Sequence, residues 1–212
     1  MQKRHFDNRR MQPRQSSFSA LGRIVLSGLL SGFVSFGLAP KTSQAQYSPT
    51  AVRPSNPWQY ASFPVENFQS YTSGFGYRAS PVDGSSQFHY GLDLAAPIGS
   101  YVRNWWTGQI VELSDNTACG TMIRVQSGEW QHVYCHLLGR VEISNGSRYL
   151  VDREGGIVLQ QGQEIPVGAR IARVGMSGRT TGPHLHWGLK YNGQFIDPAL
   201  VLQAMFTQQA AS

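Results

Sequence analysis

Two short histidine motifs contain the side chains of this sequence that are best suited to metal or acid–base chemistry. His184 and His186 flank Leu185, and His89 precedes Asp93 by four positions in the segment HYGLD. On a β-strand, His184 and His186 would point to the same face, with Cα atoms ~6.6 Å apart. Both could then bind one metal, or one could bind it while the other holds a water or substrate oxygen. The spacing alone does not choose between these arrangements.

The segment between His89 and Asp93 decides whether these two residues can bind the same ion. A straight strand would hold them ~13 Å apart, but Gly91 between them gives the backbone the freedom to bend. Together with one histidine of the HLH pair, they would form a three-ligand site with an open fourth position, which is the form of a catalytic zinc site. Histidine and carboxylate ligands also suit Zn²⁺ better than Ca²⁺ or Mg²⁺.

The positive charge of the chain is confined to its first residues. The net charge is +6, and residues 1–45, in which seven lysines and arginines face one aspartate, carry all of it. The remaining residues are neutral overall, so the basic balance gives no support for a nucleic-acid partner.

Residues 1–45 have the pattern of a secretory signal peptide. A basic start is followed by the apolar run 24–39, which is shorter than the ~20 residues that span a bilayer. Ser43 and Ala45 are small residues at the positions expected before a cleavage site. We therefore predict export to the periplasm or cell envelope. The alternative to a cleaved signal peptide is an uncleaved membrane anchor, and this anchor would then be the only part of the chain in contact with the membrane. The polar, proline-containing residues 46–60 are interpreted as a linker.

The rest of the sequence predicts an all-β domain over residues 61–205. Short apolar or alternating runs are separated by Gly and Pro, with turn signals every ~8–12 residues. A helical pattern is present only in the segment 197–206, before a polar tail, 206–212. Residues 145–156 are interpreted as a longer turn or an extra hairpin.

The two cysteines predict a disulfide. Residues 119–135 resemble a hairpin around a three-residue turn that ends in Gly128. That register pairs Val125 with Glu129 and places Cys119 opposite Cys135, close enough to bond. In an exported protein we expect the disulfide, and closing this loop would stabilise the fold by about 3 kcal/mol. Two small buried thiols are the alternative.

Four motifs together resemble the LytM-like, lysostaphin-type zinc metallopeptidases. They are FGYR (75–78), FHYGLDLAAPIGSYV (88–102), YCHL (134–137) and GRTTGPHLHW (178–187). The resemblance covers roughly residues 61–200, and the combination is far more specific than any single motif. It implies an antiparallel, sandwich-like β-sheet fold built on a duplicated hybrid motif, one zinc ion per domain, and the peptide part of peptidoglycan as substrate.

The resemblance also implies a role for each of five residues. His89, Asp93 and His186 would bind zinc, and His136 and His184 would be the catalytic pair. One of the pair would accept the proton of the zinc-activated water, and the other would stabilise the oxyanion. The sequence does not decide which histidine has which role. All five residues are present, whereas some relatives lack ligands and only activate other cell-wall enzymes.

Several residues depart from the family pattern or remain outside it. Trp187 and Gly188 follow the HLH pair where the family often has Phe-Glu. Trp105-Trp106 are expected to pack in the core or at the rim, and His132 to pack or to lie at the surface, rather than to bind substrate. Because His136 alternates with Cys135, the predicted hairpin places His136 on the face opposite the disulfide.

We therefore expect an exported, monomeric zinc endopeptidase that hydrolyses cross-links or stem peptides of peptidoglycan. Two other classes of function compete with it. One is a non-catalytic or partner-gated regulator that activates a cell-wall amidase, which would require a protein partner. The other is a metal-free, β-rich binding domain. The bond that is cleaved does not follow from the sequence.

Overall fold

The computed structural model describes residues 57–80 and 83–211 of the chain. The predicted signal segment and most of the predicted linker lie outside the described residues. No helix in the described part is long and apolar enough to span a membrane. Antiparallel β-strands dominate, with one α-helix near the C-terminus, which confirms the predicted all-β class.

Fifteen strands and two helices make up the described residues. The strands are β1 (Ser70–Ser73), β2 (Gly76–Ala79), β3 (Ser86–His89), β4 (Leu92–Ala95), β5 (Tyr101–Arg103), β6 (Gly108–Ser114), β7 (Met122–Ser127), β8 (Trp130–Cys135), β9 (Arg140–Ser144), β10 (Ser147–Asp152), β11 (Ile157–Gln160), β12 (Glu164–Ile165), β13 (Arg170–Arg173), β14 (His184–Tyr191) and β15 (Gln194–Ile196). A 3₁₀ helix, Pro57–Tyr60, precedes them, and helix α1, Pro198–Ala210, follows them. Asp197 caps α1 by accepting a hydrogen bond from the Ala199 N–H at 2.9 Å, a stabilising arrangement at a helix start.

The main sheet has eight strands in the order β1-β4-β14-β8-β7-β6-β12, and β15 also pairs with β14. Three smaller sheets accompany it: β9-β10-β11, the pair β5-β13 and the pair β2-β3. The three-stranded sheet contains the predicted extra hairpin, with β9 and β10 joined at Asn145-Gly146. Since both residues have positive φ, 49° and 76°, this turn matches the twist of a tight hairpin.

One face of the main sheet forms the core. In β14, Leu185, Trp187 and Leu189 are completely buried, whereas His184 and His186 alternate with them towards the opposite face. The buried face packs in one cluster with residues of β5, β13 and α1. Each such buried apolar side chain stabilises the fold by about 1.5–3 kcal/mol, so the core fixes which face of β14 the histidines occupy.

The register predicted for the hairpin β7-β8 is wrong. The structure pairs Val125 with His132 and Ser127 with Trp130, so a two-residue turn, Gly128-Glu129, replaces the predicted three-residue turn. Gly128 has φ 59°, as a tight hairpin turn requires.

The predicted disulfide forms nevertheless, by a different route. Cys119 and Cys135 are bonded, with Cα atoms 5.0 Å apart, but Cys119 precedes β7. A turn in which the Gly120 N–H donates to Thr117 O at 2.9 Å brings Cys119 back towards the end of β8. The His136 N–H then donates to Cys119 O at 2.8 Å, which ties the loop directly to a predicted catalytic residue.

Candidate metal centre and active site

Strands β4 and β14 place a carboxylate and an imidazole directly opposite each other. His186 pairs with Asp93 across the antiparallel ladder, and opposite side chains in such pairs are close neighbours. His186 Nδ1 lies 2.9 Å from Asp93 Oδ1. The strand pairing thus supplies two of the three predicted metal ligands.

His89 joins this pair because the chain bends between β3 and β4. His89 Nε2 lies 3.0 Å from Asp93 Oδ1 and 2.9 Å from His186 Nδ1. The bend is at Gly91, as predicted. A Cβ atom there would lie 2.6 Å from His186 Cε1 and 2.8 Å from Trp187 O. Gly91 is therefore also needed to leave room for the His186 ring, which the sequence did not reveal.

The proton positions in this cluster fit a bound cation. His89 Nδ1 lies 2.7 Å from Gly74 O, and because a carbonyl oxygen only accepts, Nδ1 carries the proton of the neutral ring. His89 Nε2 then turns a lone pair towards the Asp93 carboxylate. Two acceptors at this distance repel each other unless a cation or a proton lies between them. The set His89, Asp93 and His186 therefore fits a metal site, with histidine and carboxylate ligands that suit zinc.

The charge state of Asp93 suits ligation. Burial acts to raise its pKa, but without a metal the hydrogen bonds from His186 and His89, each of which needs a proton between imidazole and carboxylate, outweigh burial and hold the pKa well below its usual range. Arg78 Nη1 lies 3.5 Å from Asp93 Oδ2 and also contacts Ser73 Oγ. Asp93 is thus held as a carboxylate with one oxygen turned to the histidines. The predicted FGYR motif contains Arg78, but this contact was not predicted.

His136 and His184 lie beside the cluster. Their ring centroids are 4.9 Å apart. His136 Nδ1 lies 2.8 Å from Ser177 O, and His184 Nδ1 lies 2.9 Å from Gly182 O. Both rings therefore donate through Nδ1, and in the neutral form of each ring Nε2 is the acceptor. Burial lowers the pKa of His136 to about 4, so this ring is neutral near pH 7.

The two histidines of the HLH pair occupy different positions relative to Asp93. His184 Nε2 lies 3.6 Å from Asp93 Oδ1, compared with 2.9 Å for His186 Nδ1. The tight three-residue set includes His186 and not His184. The geometry therefore favours one ligand and one adjacent imidazole over two ligands.

The predicted position of His136, on the face opposite the disulfide, is wrong. Cys135 pairs with His186, so both lie on the open face of the sheet, and regular alternation would bury His136 with Tyr134. His136 instead has φ 62°, a left-handed conformation that is uncommon outside glycine. This interrupts the alternation and turns His136 into the same cleft that Cys119 lines.

His132 and the tryptophan pair pack, as expected. His132 is fully buried between Ser127 Oγ and Tyr134 OH, each at 2.8 Å, and burial lowers its pKa to about 3. Trp105 is fully buried in the core, and Trp106 is half-buried against it.

The five predicted site residues meet in one open cleft of about 500 Å³. Besides the histidines and Asp93, its lining includes Phe88, Tyr90, Arg78, Arg179 and Thr180. The two arginines give the rim cationic groups that the sequence prediction did not assign.

The chain is similar to known cell-wall peptidases. The model of "Peptidase family M23" matches residues 145–198. The chain is 34% identical over 132 residues to the DD-carboxypeptidase/endopeptidase Mpg of Neisseria meningitidis serogroup B, covering 61% of this chain and 26% of that protein. It is 31% identical over 138 residues to the peptidoglycan DD-endopeptidase ShyB of Vibrio cholerae, covering 64% of this chain and 28% of that protein.

Solved structures agree with the sequence relatives. A zinc-containing peptidase from Vibrio cholerae superposes with a TM-score of 0.52 and 27% identity, over 69% of this chain and 38% of that chain. A protein assigned to peptidase M23 from Pseudomonas aeruginosa gives a TM-score of 0.51 and 28% identity, over 71% of this chain and 53% of that chain.

The antiparallel fold and the His-Asp-His cluster in an open cleft indicate that the protein belongs to the class of metallopeptidases. Within it, residues 145–198 match the model of peptidase family M23, and the chain is similar in sequence to a DD-carboxypeptidase/endopeptidase and to lysostaphin. The chain spans about a quarter of the length of the curated relatives it matches.

Proposed function

We propose that this chain is a zinc-dependent endopeptidase that hydrolyses peptide bonds in the cross-links or stem peptides of peptidoglycan. The observation that carries the proposal is the convergence of His89 Nε2, Asp93 Oδ1 and His186 Nδ1 within 3.0 Å of one another. The names of the relatives, which are peptidoglycan DD-endopeptidases, supply the substrate class.

His89, Asp93 and His186 would hold the metal. Bound zinc supplies Lewis acidity, which makes water nucleophilic near neutral pH and polarises a carbonyl group. Asp93 contributes the negative charge of the site, and Gly74 O fixes the His89 ring so that Nε2 faces inward. Such outer partners orient the ligands of metal sites.

His136 and His184 would move protons at their Nε2 atoms. Each ring is oriented through Nδ1 by a backbone carbonyl, Ser177 O or Gly182 O, so each presents an acceptor to the cleft. One would take a proton from the attacking water and pass it to the leaving amine. The other, once protonated, would stabilise negative charge on the carbonyl oxygen.

The location and assembly of the protein are part of the same proposal. We infer that residues 1–45 direct export, that 46–60 act as a linker, and that the domain works as a monomer in the periplasm or cell envelope. The intact ligand set is the reason for preferring an enzyme to a non-catalytic regulator of an amidase.

The test is hydrolysis of defined cross-linked muropeptides by the purified exported part, with products identified by mass spectrometry. We expect cleavage of a peptide bond that a chelator abolishes and added Zn²⁺ restores. A zinc-loaded, folded protein that releases no product from muropeptides or from intact sacculi would contradict the proposal. Cleavage that survives complete removal of metal would contradict the role of zinc.

A further inference from the structure

A row of aromatic side chains runs outward from the candidate cleft. We call Phe75, Tyr77, Phe88, Tyr90 and Phe195 the aromatic row. Phe88 contacts Phe75, Tyr77 and Tyr90, with centroids 5.0, 5.0 and 4.7 Å apart, and Tyr90 contacts Phe195 at 4.7 Å. Such spacings are those of favourable aromatic pairs, so the rings form one continuous surface.

The aromatic row is open to solvent although burial would stabilise it. Tyr77 is 83% exposed, Tyr90 51% and Phe195 38%. Contiguous exposed apolar surface of this kind marks a binding site more often than single exposed rings do.

The aromatic row adjoins the metal centre through His89, the last residue of β3. His89 points into the metal centre, and its neighbours Phe88 and Tyr90 both line the rim of the cleft. Any ligand on the row is therefore in direct continuation of the cleft where the peptide would be cut.

The cleft and the aromatic row differ in charge. Arg78 and Arg179 line the cleft, whereas none of the five residues of the row is charged, and Lys190 contacts the row at its edge with Nζ 4.4 Å above the Phe195 ring. The cleft therefore suits the carboxylate-bearing peptide, and the row suits an uncharged ligand with flat apolar faces. Sugar rings have such faces, formed by their C–H groups, and their hydroxyls can bond to the tyrosine phenols.

We propose that the aromatic row binds sugar units of the glycan strand that carries the peptide being hydrolysed. The identification of the bound polymer as the glycan of peptidoglycan rests on the proposed function. Its direct test does not require hydrolysis, because glycan binding can be measured without any cleavage.

The first experiment measures binding of peptide-free glycan chains, prepared by removing the stem peptides from purified peptidoglycan. The row variant is Tyr77→Ala combined with Phe195→Ala, since neither residue lines the cleft. We expect wild-type protein to bind and the row variant to bind at least ~10-fold more weakly, the effect of losing about 1.4 kcal/mol of contacts. Tyr77→Phe, which keeps the ring, should retain most of the binding.

The matched control is Tyr60→Ala. Tyr60 is 71% exposed but belongs to the 3₁₀ helix that packs against α1, outside the row. This variant should bind glycan as the wild type does. An equal loss in Tyr60→Ala, or no binding of peptide-free glycan by the wild type, would overturn the inference.

The second experiment compares cleavage of cross-linked peptides with and without their sugars. We expect the preference of the enzyme for the sugar-bearing substrate, expressed as a ratio of kcat/KM values, to fall about 10-fold in the row variant. An unchanged ratio would mean that the row contacts the peptide or only supports folding, and it would overturn the inference. Glycan binding by a protein that cleaves neither substrate would support the glycan-binding role of the aromatic row and reject the proposed function.

Discussion

Backbone carbonyls lie against the Nδ1 atoms of three of the four cleft histidines. His89, His136 and His184 each place Nδ1 within 2.9 Å of a carbonyl oxygen and therefore present Nε2. His186 instead presents Nδ1 to Asp93. Because main-chain atoms are fixed by the sheet and its loops, substitution of one cleft histidine should leave the other rings in place.

Because of this independence, single substitutions can distinguish the proposed ligands from the proposed proton-transfer groups. His186→Ala should remove most bound zinc, whereas His136→Ala and His184→Ala should keep it and slow hydrolysis by about 100-fold or more. Zinc content is measured by elemental mass spectrometry and hydrolysis by release of muropeptide products. Near-stoichiometric zinc in His186→Ala would reject the ligand assignment. Loss of zinc in His184→Ala would instead make both members of the HLH pair ligands.

Much of the candidate site could be predicted at the level of single residues because its motifs are local. The HLH spacing and the bend at Gly91 required only strand periodicity and the freedom of glycine. The orientation of His136 could not be predicted, since its φ of 62° depends on contacts of its backbone with Cys119 and Gly175. These residues are distant in sequence, and no local pattern indicates them.

At the scale of elements, the bend at Gly91, which leads into β4, lies so close to β14 beside the candidate metal centre that an added methyl group would displace a neighbour. In Gly91→Ala, the new methyl group would meet His186 Cε1 at 2.6 Å and Trp187 O at 2.8 Å. The carbonyl belongs to a paired strand, so the ring must move. We expect zinc affinity to fall by about 10–100-fold, as for lost supporting contacts in metal sites.

Gly74→Ala is the matched control for this measurement. Gly74 also adjoins the site, through its carbonyl contact with His89, but a methyl group added at Gly74 would meet no atom within 4 Å beyond its chain neighbours. Competition with a zinc chelator gives both affinities. Equal affinities for Gly91→Ala and the wild type would show that the close approach does not constrain the ligand.

The hairpin β7-β8 shows where prediction from elements fails. Its strands were predicted, but the register was wrong because several turns fit the segment from Gln126 to Glu129. The prediction of the disulfide was nevertheless right, because the turn at Thr117–Gly120 brings Cys119 back to Cys135 in spite of the changed register. The core-facing alternation of β14 was predictable because buried Leu185 and Trp187 allow only one face inward.

At the scale of the whole molecule, one ion pair joins the sheet β9-β10-β11 to the pair β5-β13. Arg173 donates to both oxygens of Asp152, each at 2.7 Å, and Asp152 is only 5% exposed. The hydrogen bonds from Arg173 lower the pKa of Asp152. Charge-assisted, two-pronged contacts of this kind are among the stronger hydrogen bonds in proteins.

This pair predicts a pH-dependent contribution to stability. Because the pKa of Asp152 is lower in the folded than in the unfolded state, its contribution is complete above the unfolded value of ~3.9 and disappears as pH falls through the folded value. Asp152→Asn should therefore lower the free energy of unfolding by about 2 kcal/mol at pH 7 and pH 5. The difference from the wild type should shrink towards pH 3.

Urea unfolding of metal-free protein at these three pH values measures the difference. Glu154→Gln is the control, because Glu154 contacts the same arginine at 3.5 Å but its side chain is 89% exposed. Exposed pairs contribute little, so this variant should match the wild type throughout. A deficit of Asp152→Asn that is as large at pH 3 as at pH 7 would contradict the assignment.

The pairing of β4 with β14 also sets an order of events in the life of the chain. Asp93 and His186 are separated by 93 positions, and His89 and His186 by 97. Contacts between such distant positions form late, because the entropy of closing a long loop must first be overcome. A nascent polypeptide that still lacks β14 has no complete candidate metal centre. The three candidate ligands are therefore brought together only after almost all of the domain has been synthesised, so the proposed hydrolysis must wait for the finished chain.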